Sequence, residues 1–230
     1  HYLRLQGRCE SELRGCKFVV YSQGHEEHDG CESKCRIIEK TGFEAAKLSA
    51  GATLLSPYIP VIFMGEEYGE TAPFNFFNDS EDAPSSDECR LNWLNIESAQ
   101  GHAMLALYRK LLRIRREHPT IHEPCRSRCQ VRKLSANTIL VLRNPTSGDK
   151  KYAAVLFNFS KEEAECSISQ YLPEGVWTTE LYSASPAYAG NSSHLPSILP
   201  STGKIKIAGQ SFALFLYSEL MVRAGEISIR

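Results

Sequence analysis

Hydrophobic and polar positions change period along the 230 residues. A short β-prone run at 17–21, KFVVY, is followed by the polar stretch 22–30, SQGHEEHDG. Phe43, Ala46, Ala50 and Leu54 then recur at helical spacing in an alanine-rich segment. This predicts a helix over 43–55, capped by Thr41 or Gly42 and ended by Ser56-Pro57. The unbroken apolar run 58–63, YIPVIF, reads as a strand buried on both faces, with Pro60 unfavourable in a central position. At Met64-Gly65 the text switches to Glu66, Glu67, Tyr68 and Gly69. Met104, Leu107, Tyr108, Leu111 and Ile114 form an apolar stripe that predicts a second helix over 98–117, stopped by His118-Pro119.

From Gln130 onward the period shortens to that of strands. Strands are predicted at 138–143, 151–159, 165–168, 176–182, 204–207 and 211–217, separated by turn signals such as Asn144-Pro145 and Thr202-Gly203. Lys204-Ile-Lys-Ile207 alternates strictly, as a half-buried strand does. The predicted organisation is therefore α/β over 1–127, then an antiparallel β-sandwich over 128–220, with a tail at 221–230 that has no assigned role.

Strand, polar loop, helix, strand is the order of a parallel crossover. That topology brings the loops after 21 and after 63 to the same carboxyl-end face. His25, Glu26, Glu66 and Glu67 would then share one crevice. The plainer reading of the spacing is a buried strand followed by a solvated acidic loop.

Composition narrows the classes. Hydrophobic content of 42% and a formal net charge of -1 point away from disorder and from nucleic acid. Arg109, Lys110, Arg113, Arg115 and Arg116 crowd the end of the second helix, where cations suit the dipole, and are expected to form a solvated face. No apolar run approaches the length of a membrane span, and the first residues are polar, so neither a span nor a secretory signal is expected. Of the eight cysteines, Cys31 with Cys35 and Cys125 with Cys129 are four apart. Zinc or a disulfide framework is the lesser reading; reduced thiols, no metal and no cofactor are expected, in a cytoplasmic protein.

Several stretches together resemble a known family: FVVYSQ with a His-acid pair after it, FEAAKLSAGATLLSPYIPVIFMGEEYGETAPF, ALYRKLLRIRREHP, VLFNFS and VWTTELYSASPAYAG. Over roughly 17–217 they are similar to the α-amylase-type glycoside hydrolases, and among these to the trehalose-releasing trehalohydrolases. The resemblance implies the last two units of a (β/α)8 barrel (a partial TIM barrel) followed by an antiparallel β domain. It implies a malto-oligosaccharide-type substrate and cleavage of the α-1,4 bond adjoining a trehalose unit, with retention through a nucleophile and a proton donor. Where the family reads Gln-Asn-His-Asp, this chain reads Gln23-Gly24-His25-Glu26. By that alignment His25 contacts the sugar, Glu26 takes the position of the transition-state-stabilising aspartate, and Glu66 and Glu67 line the substrate crevice. The nucleophile and the acid/base belong to earlier barrel strands, so the resemblance implies a C-terminal fragment that is inactive alone. The alternative is a non-catalytic remnant whose β domain binds glucan or a protein partner through Trp177, Tyr182 and Tyr188.

Overall fold

The structure, a computed structural model, describes residues 15–24, 35–74, 84–144, 151–192, 195–200, 204–218, 220–223 and 226–229. The first strand, β1 (Val19–Val20), pairs in parallel with β2 (Ile59–Pro60), Val19 opposite Ile59 and Val20 opposite Pro60. Both are shorter than the apolar runs that contain them. Pro60 is tolerated because the ladder uses its neighbours: Ile59 N–H donates to Phe18 O at 3.0 Å and Val61 N–H to Val20 O at 2.9 Å. The position without a donor faces away from β1.

Two helices cross between these strands, α1 (Ile37–Thr41) and α2 (Phe43–Leu54). The short α1 falls where the sequence reads as charged and irregular. Next comes α3 (Ala99–Glu117), started by Ser98, whose hydroxyl accepts the Gly101 N–H at 2.9 Å. Pro119 sits at the first position of α4 (Pro119–His122).

The remaining chain is antiparallel. A five-stranded sheet runs in the order β3 (Cys129–Lys133), β4 (Thr138–Arg143), β5 (Ala153–Asn158), β9 (Ser211–Ser218), β7 (Val176–Tyr182). A second sheet pairs β6 (Ala164–Ser167) with β8 (Lys204–Ile207). The segment read as an unassigned tail holds a hairpin, β10 (Leu220–Arg223) with β11 (Glu226–Ile229). β3 was not among the expected strands. It has little apolar signal, since one residue is half-buried and the other four are exposed.

Alternate residues of β5 and β9 enter two different cores. Ala153, Val155, Phe157, Phe212 and Leu214 pack with Leu54, Met104, Leu107 and Leu111 of α2 and α3. Ala154, Leu156, Ala213 and Phe215 pack with Cys166, Ile205 and Ile207 of β6 and β8, and with Trp177. The large sheet is thus a middle layer, with helices on one face and a small sheet on the other. This explains why every residue of β5 is buried while β8 alternates exposed and buried.

Buried cations tie the helices to the sheet. Lys47 of α2, fully buried, donates to Ser183 O at 2.8 Å and Tyr188 O at 2.9 Å and pairs with Glu44 at 2.9 Å. Arg143 of β4 donates to Leu55 O at 3.0 Å and Glu123 O at 2.6 Å. Arg115 donates to Leu54 O at 2.7 Å, Ser56 O at 3.0 Å and Tyr58 O. The two arginines satisfy carbonyls at the carboxyl end of α2, where a helix has none of its own partners to offer. The basic cluster of α3 is therefore only partly a solvated face: Arg115 is a clamp, and Lys110 pairs with Glu180 of β7.

The described cysteines, Cys16, Cys35, Cys89, Cys125, Cys129 and Cys166, are free thiols; Cys9 and Cys31 lie outside the described residues. Among the described residues no group of three or more His, Cys, Asp or Glu side chains could hold a metal ion, and no helix is long and apolar enough to cross a membrane.

Candidate functional site

The loops that leave β1 and β2 meet at one rim. Gln23, three residues past β1, is buried; its Nε2 donates to Glu66 Oε2 at 3.0 Å, and its Oε1 accepts the Ile37 N–H at 3.1 Å. One side chain thus joins the first loop, the start of α1 and the second loop. Glu66 begins a 3-10 turn, Glu66–Tyr68. Gly65 at φ +86° and Gly69 at φ +76° bracket it, both in the left-handed region where other residues are strained. That spacing turns the chain sharply back after β2 and fixes where the carboxylates point.

Glu66 is only 7% exposed. Burial raises its pKa above the ordinary 4.5, and the neighbouring Glu67 adds to the rise. Hydrogen bonds from Gln23, the Tyr108 hydroxyl and the Phe63 backbone act the other way. Burial and the negative Glu66 push the Tyr108 hydroxyl well above its usual range. A cavity of about 10 Å³ lies between Gln23, Ile37, Ala46, Glu66, Met104 and Tyr108, at the lower limit for a single water. No sugar ring fits there. Glu66 thus faces Gln23 and Tyr108 beneath the rim. Glu67 is half-buried, and its Oε2 is buried without a hydrogen-bond partner. Of the pair, Glu67 is the carboxylate with acceptor capacity to spare.

Glu70 is the carboxylate that sequence reasoning missed. It is 1% exposed and accepts five hydrogen bonds. Its Oε1 takes Thr71 N–H at 2.8 Å, Ala72 N–H at 2.9 Å and Asn95 Nδ2 at 3.2 Å; its Oε2 takes Asn92 N–H at 2.6 Å and the Tyr68 hydroxyl at 3.1 Å. Arg36, fully buried, donates to Ala72 O at 2.7 Å and Met64 O at 2.8 Å, and its guanidinium lies 4.8 Å from the Phe63 ring centre. Burial lowers the Arg36 pKa, and Glu70 is the strongest opposing influence.

His25 and Glu26 lie outside the described residues. Of the three aromatics expected to form a surface on the β domain, Trp177 and Tyr182 are buried. Trp177 is 3% exposed with its indole N–H on Pro173 O at 3.1 Å. Tyr182 is equally enclosed, its hydroxyl accepting the Ala208 N–H at 2.9 Å. Tyr188 is half-buried, and its carbonyl holds Lys47.

No family model matches the chain. Among curated proteins it is similar to malto-oligosyltrehalose trehalohydrolases. The Saccharolobus solfataricus enzyme is 35% identical over 134 residues, covering 50% of this chain and 24% of that one. The Rhizobium sp. enzyme is 26% identical over 156 residues (52% and 26%), and the Deinococcus radiodurans enzyme 27% over 147 residues (51% and 24%). The chain spans about a quarter of the length of these relatives. Among solved structures, a protein assigned as an alpha amylase from Salmonella typhimurium superposes with a TM-score of 0.64 at 25% identity, covering 89% of this chain and 36% of that one. A pullulanase from an Anoxybacillus species, complexed with maltotetraose, superposes at 0.55 with 15% identity over 78% of this chain and 24% of its own, a likeness of fold alone. In sequence, then, the chain resembles part of malto-oligosyltrehalose trehalohydrolase, and its structural neighbours are α-amylase-type glycoside hydrolases.

Proposed function

We propose that these residues are the C-terminal part of a glycoside hydrolase that releases trehalose from malto-oligosyl trehalose by cleaving the adjoining α-1,4 bond. In this reading β1 and β2 are the last two strands of a (β/α)8 barrel and the antiparallel sheets are the domain that follows it. The observation that carries the reading is the parallel β1–β2 pair with its two exit loops bonded at one rim through Gln23 and Glu66. Open α/β sheets and barrels bind ligands at that end of their strands.

His25 would then contact the sugar, and Glu26 would stabilise the oxocarbenium-like transition state. Glu67 would face the substrate, with Glu66 as a positioning residue beneath. The nucleophile that attacks the anomeric carbon and the acid that protonates the leaving oxygen would come from barrel strands preceding His1. Reduced thiols and a cytoplasmic setting belong to the same reading.

The test uses purified protein and maltotriosyl trehalose. The 230 residues alone are expected to release no trehalose. A chimera placing the preceding three quarters of the Saccharolobus enzyme before His1 is expected to release it. In that chimera Glu26→Asp restores the family's side-chain length and is expected to raise turnover, by up to about a hundredfold for a misplacement near 1 Å. Turnover by the chain alone, or none by a folded chimera, overturns the proposal.

A further inference from the structure

An exposed aromatic ring and a polar cleft share one neighbour, Tyr68. Trp93 is 63% exposed, yet its place is fixed. It begins the 3-10 turn Trp93–Glu97, capped by Asn92, whose side chain accepts the Leu94 N–H. The same turn is bonded twice to the buried Glu70, through Asn92 N–H and Asn95 Nδ2. The Trp93 ring leans on the enclosed Tyr68 ring with centres 5.6 Å apart. An indole held rigidly with most of its surface in water loses little further freedom when a flat apolar face settles on it.

Tyr68 is also part of the wall of a cleft of about 340 Å³. The other walls include Phe43, Thr71, Asn95, Ser98 and Gln100. Of these, Thr71, Ser98 and Gln100 are exposed; the Ser98 hydroxyl is engaged as a helix cap, which leaves the Thr71 hydroxyl and the Gln100 amide for a ligand. The volume is at the lower end of the range for small-molecule sites. Neutral hydroxyl and amide groups, few charges and an aromatic platform match the chemistry of a sugar, whose rings have one apolar face and an equator of hydroxyls. They fit a nucleotide or a phosphate poorly, since Glu39 is the charged group in the wall.

We propose that this cleft, together with Trp93 on the Tyr68 of its wall, is a saccharide-binding subsite for α-1,4-glucan, distinct from the buried Gln23–Glu66 contact. The choice of an α-glucan rests on the functional reading above; the existence of the subsite rests on Trp93 and the cleft.

The chain has two tryptophans, and Trp177 is buried, so iodide quenching of its fluorescence reports Trp93. Titrating the full chain with maltoheptaose is expected to protect Trp93 from iodide along a saturable, millimolar curve, and cellohexaose is expected not to. In calorimetry Trp93→Ala and Gln100→Ala are each expected to weaken maltoheptaose binding by about tenfold or more, roughly 1.4 kcal/mol, while Trp93→Phe keeps most of it. Far-UV dichroism confirms that each variant is folded. No protection by maltoheptaose, equal protection by cellohexaose, or unchanged binding by folded Trp93→Ala each overturns the assignment. Since no turnover is measured, the result stands apart from the fate of the hydrolase reading.

Discussion

The β1–β2 pair and the β5–β9 pair are both made from apolar runs, and they end in opposite environments. Every residue of β5 is buried, because helices cover one face of its sheet and β6–β8 cover the other. In and beside the parallel pair, Val19 is 56% exposed, Tyr21 46%, Ile59 42% and Val61 42%. Among the described residues no third strand lies beside β1 or β2. Composition alone does not bury a strand; layers on both faces do, and among the described residues the parallel pair is left half in water.

The comparison can be broken by substitution, starting in the shared helix–sheet core. Leu107→Ala, at a fully buried position of α3, is expected to cost about 3–5 kcal/mol in urea unfolding. A loss below about 1 kcal/mol would mean that helices and sheet do not share a core. Lys47→Met keeps the volume and removes the donors to Ser183 O and Tyr188 O, leaving two enclosed carbonyls unpaired. The expected cost is about 1–3 kcal/mol, read from the same unfolding curve.

Glu66 sharpens the comparison from the rim side. Its pKa is raised in the folded chain, so the folded state binds the proton more tightly than the unfolded one. The stability this contributes is present below the ordinary 4.5 and is lost as pH rises through the folded value. Glu66→Gln removes the titration and keeps an acceptor for Tyr108. Thermal midpoints of the wild type are expected to decline across that window, with a slope from this group of at most about 1.4 kcal/mol per pH unit. The variant is expected to lack that component, and identical profiles would refute the assignment. The smallest effect is expected at Ile59→Thr, within about 0.5–1 kcal/mol of wild type in the same urea assay, because the side chain is already half in water. A loss near that of Leu107→Ala would show that β2 is covered in solution.

Much of the fold was legible. The repeat at Phe43, Ala46, Ala50 and Leu54 places α2 to within one residue, and the stripe from Met104 to Ile114 places α3. The spans 138–143, 176–182 and 204–207 coincide with β4, β7 and β8. The parallel pairing of β1 with β2 follows from element order, since a helix between two strands is long enough only for a crossover. The site was less legible. Glu66, Glu67 and Glu70 share one short polar segment, and nothing local says which will be enclosed.

The amino-acid order alone determined the periodic elements and their succession, because helix and strand periods are properties of neighbours in the chain. Only tertiary structure decided that Glu70 and Arg36 are buried at the rim, that Arg115 is a clamp and not a solvated cation, and that Trp177 is core while Trp93 faces water. Those outcomes depend on which distant residues arrive to desolvate or pair a side chain. Lys47 meets Ser183 across 136 positions, a distance over which a local pattern carries no information.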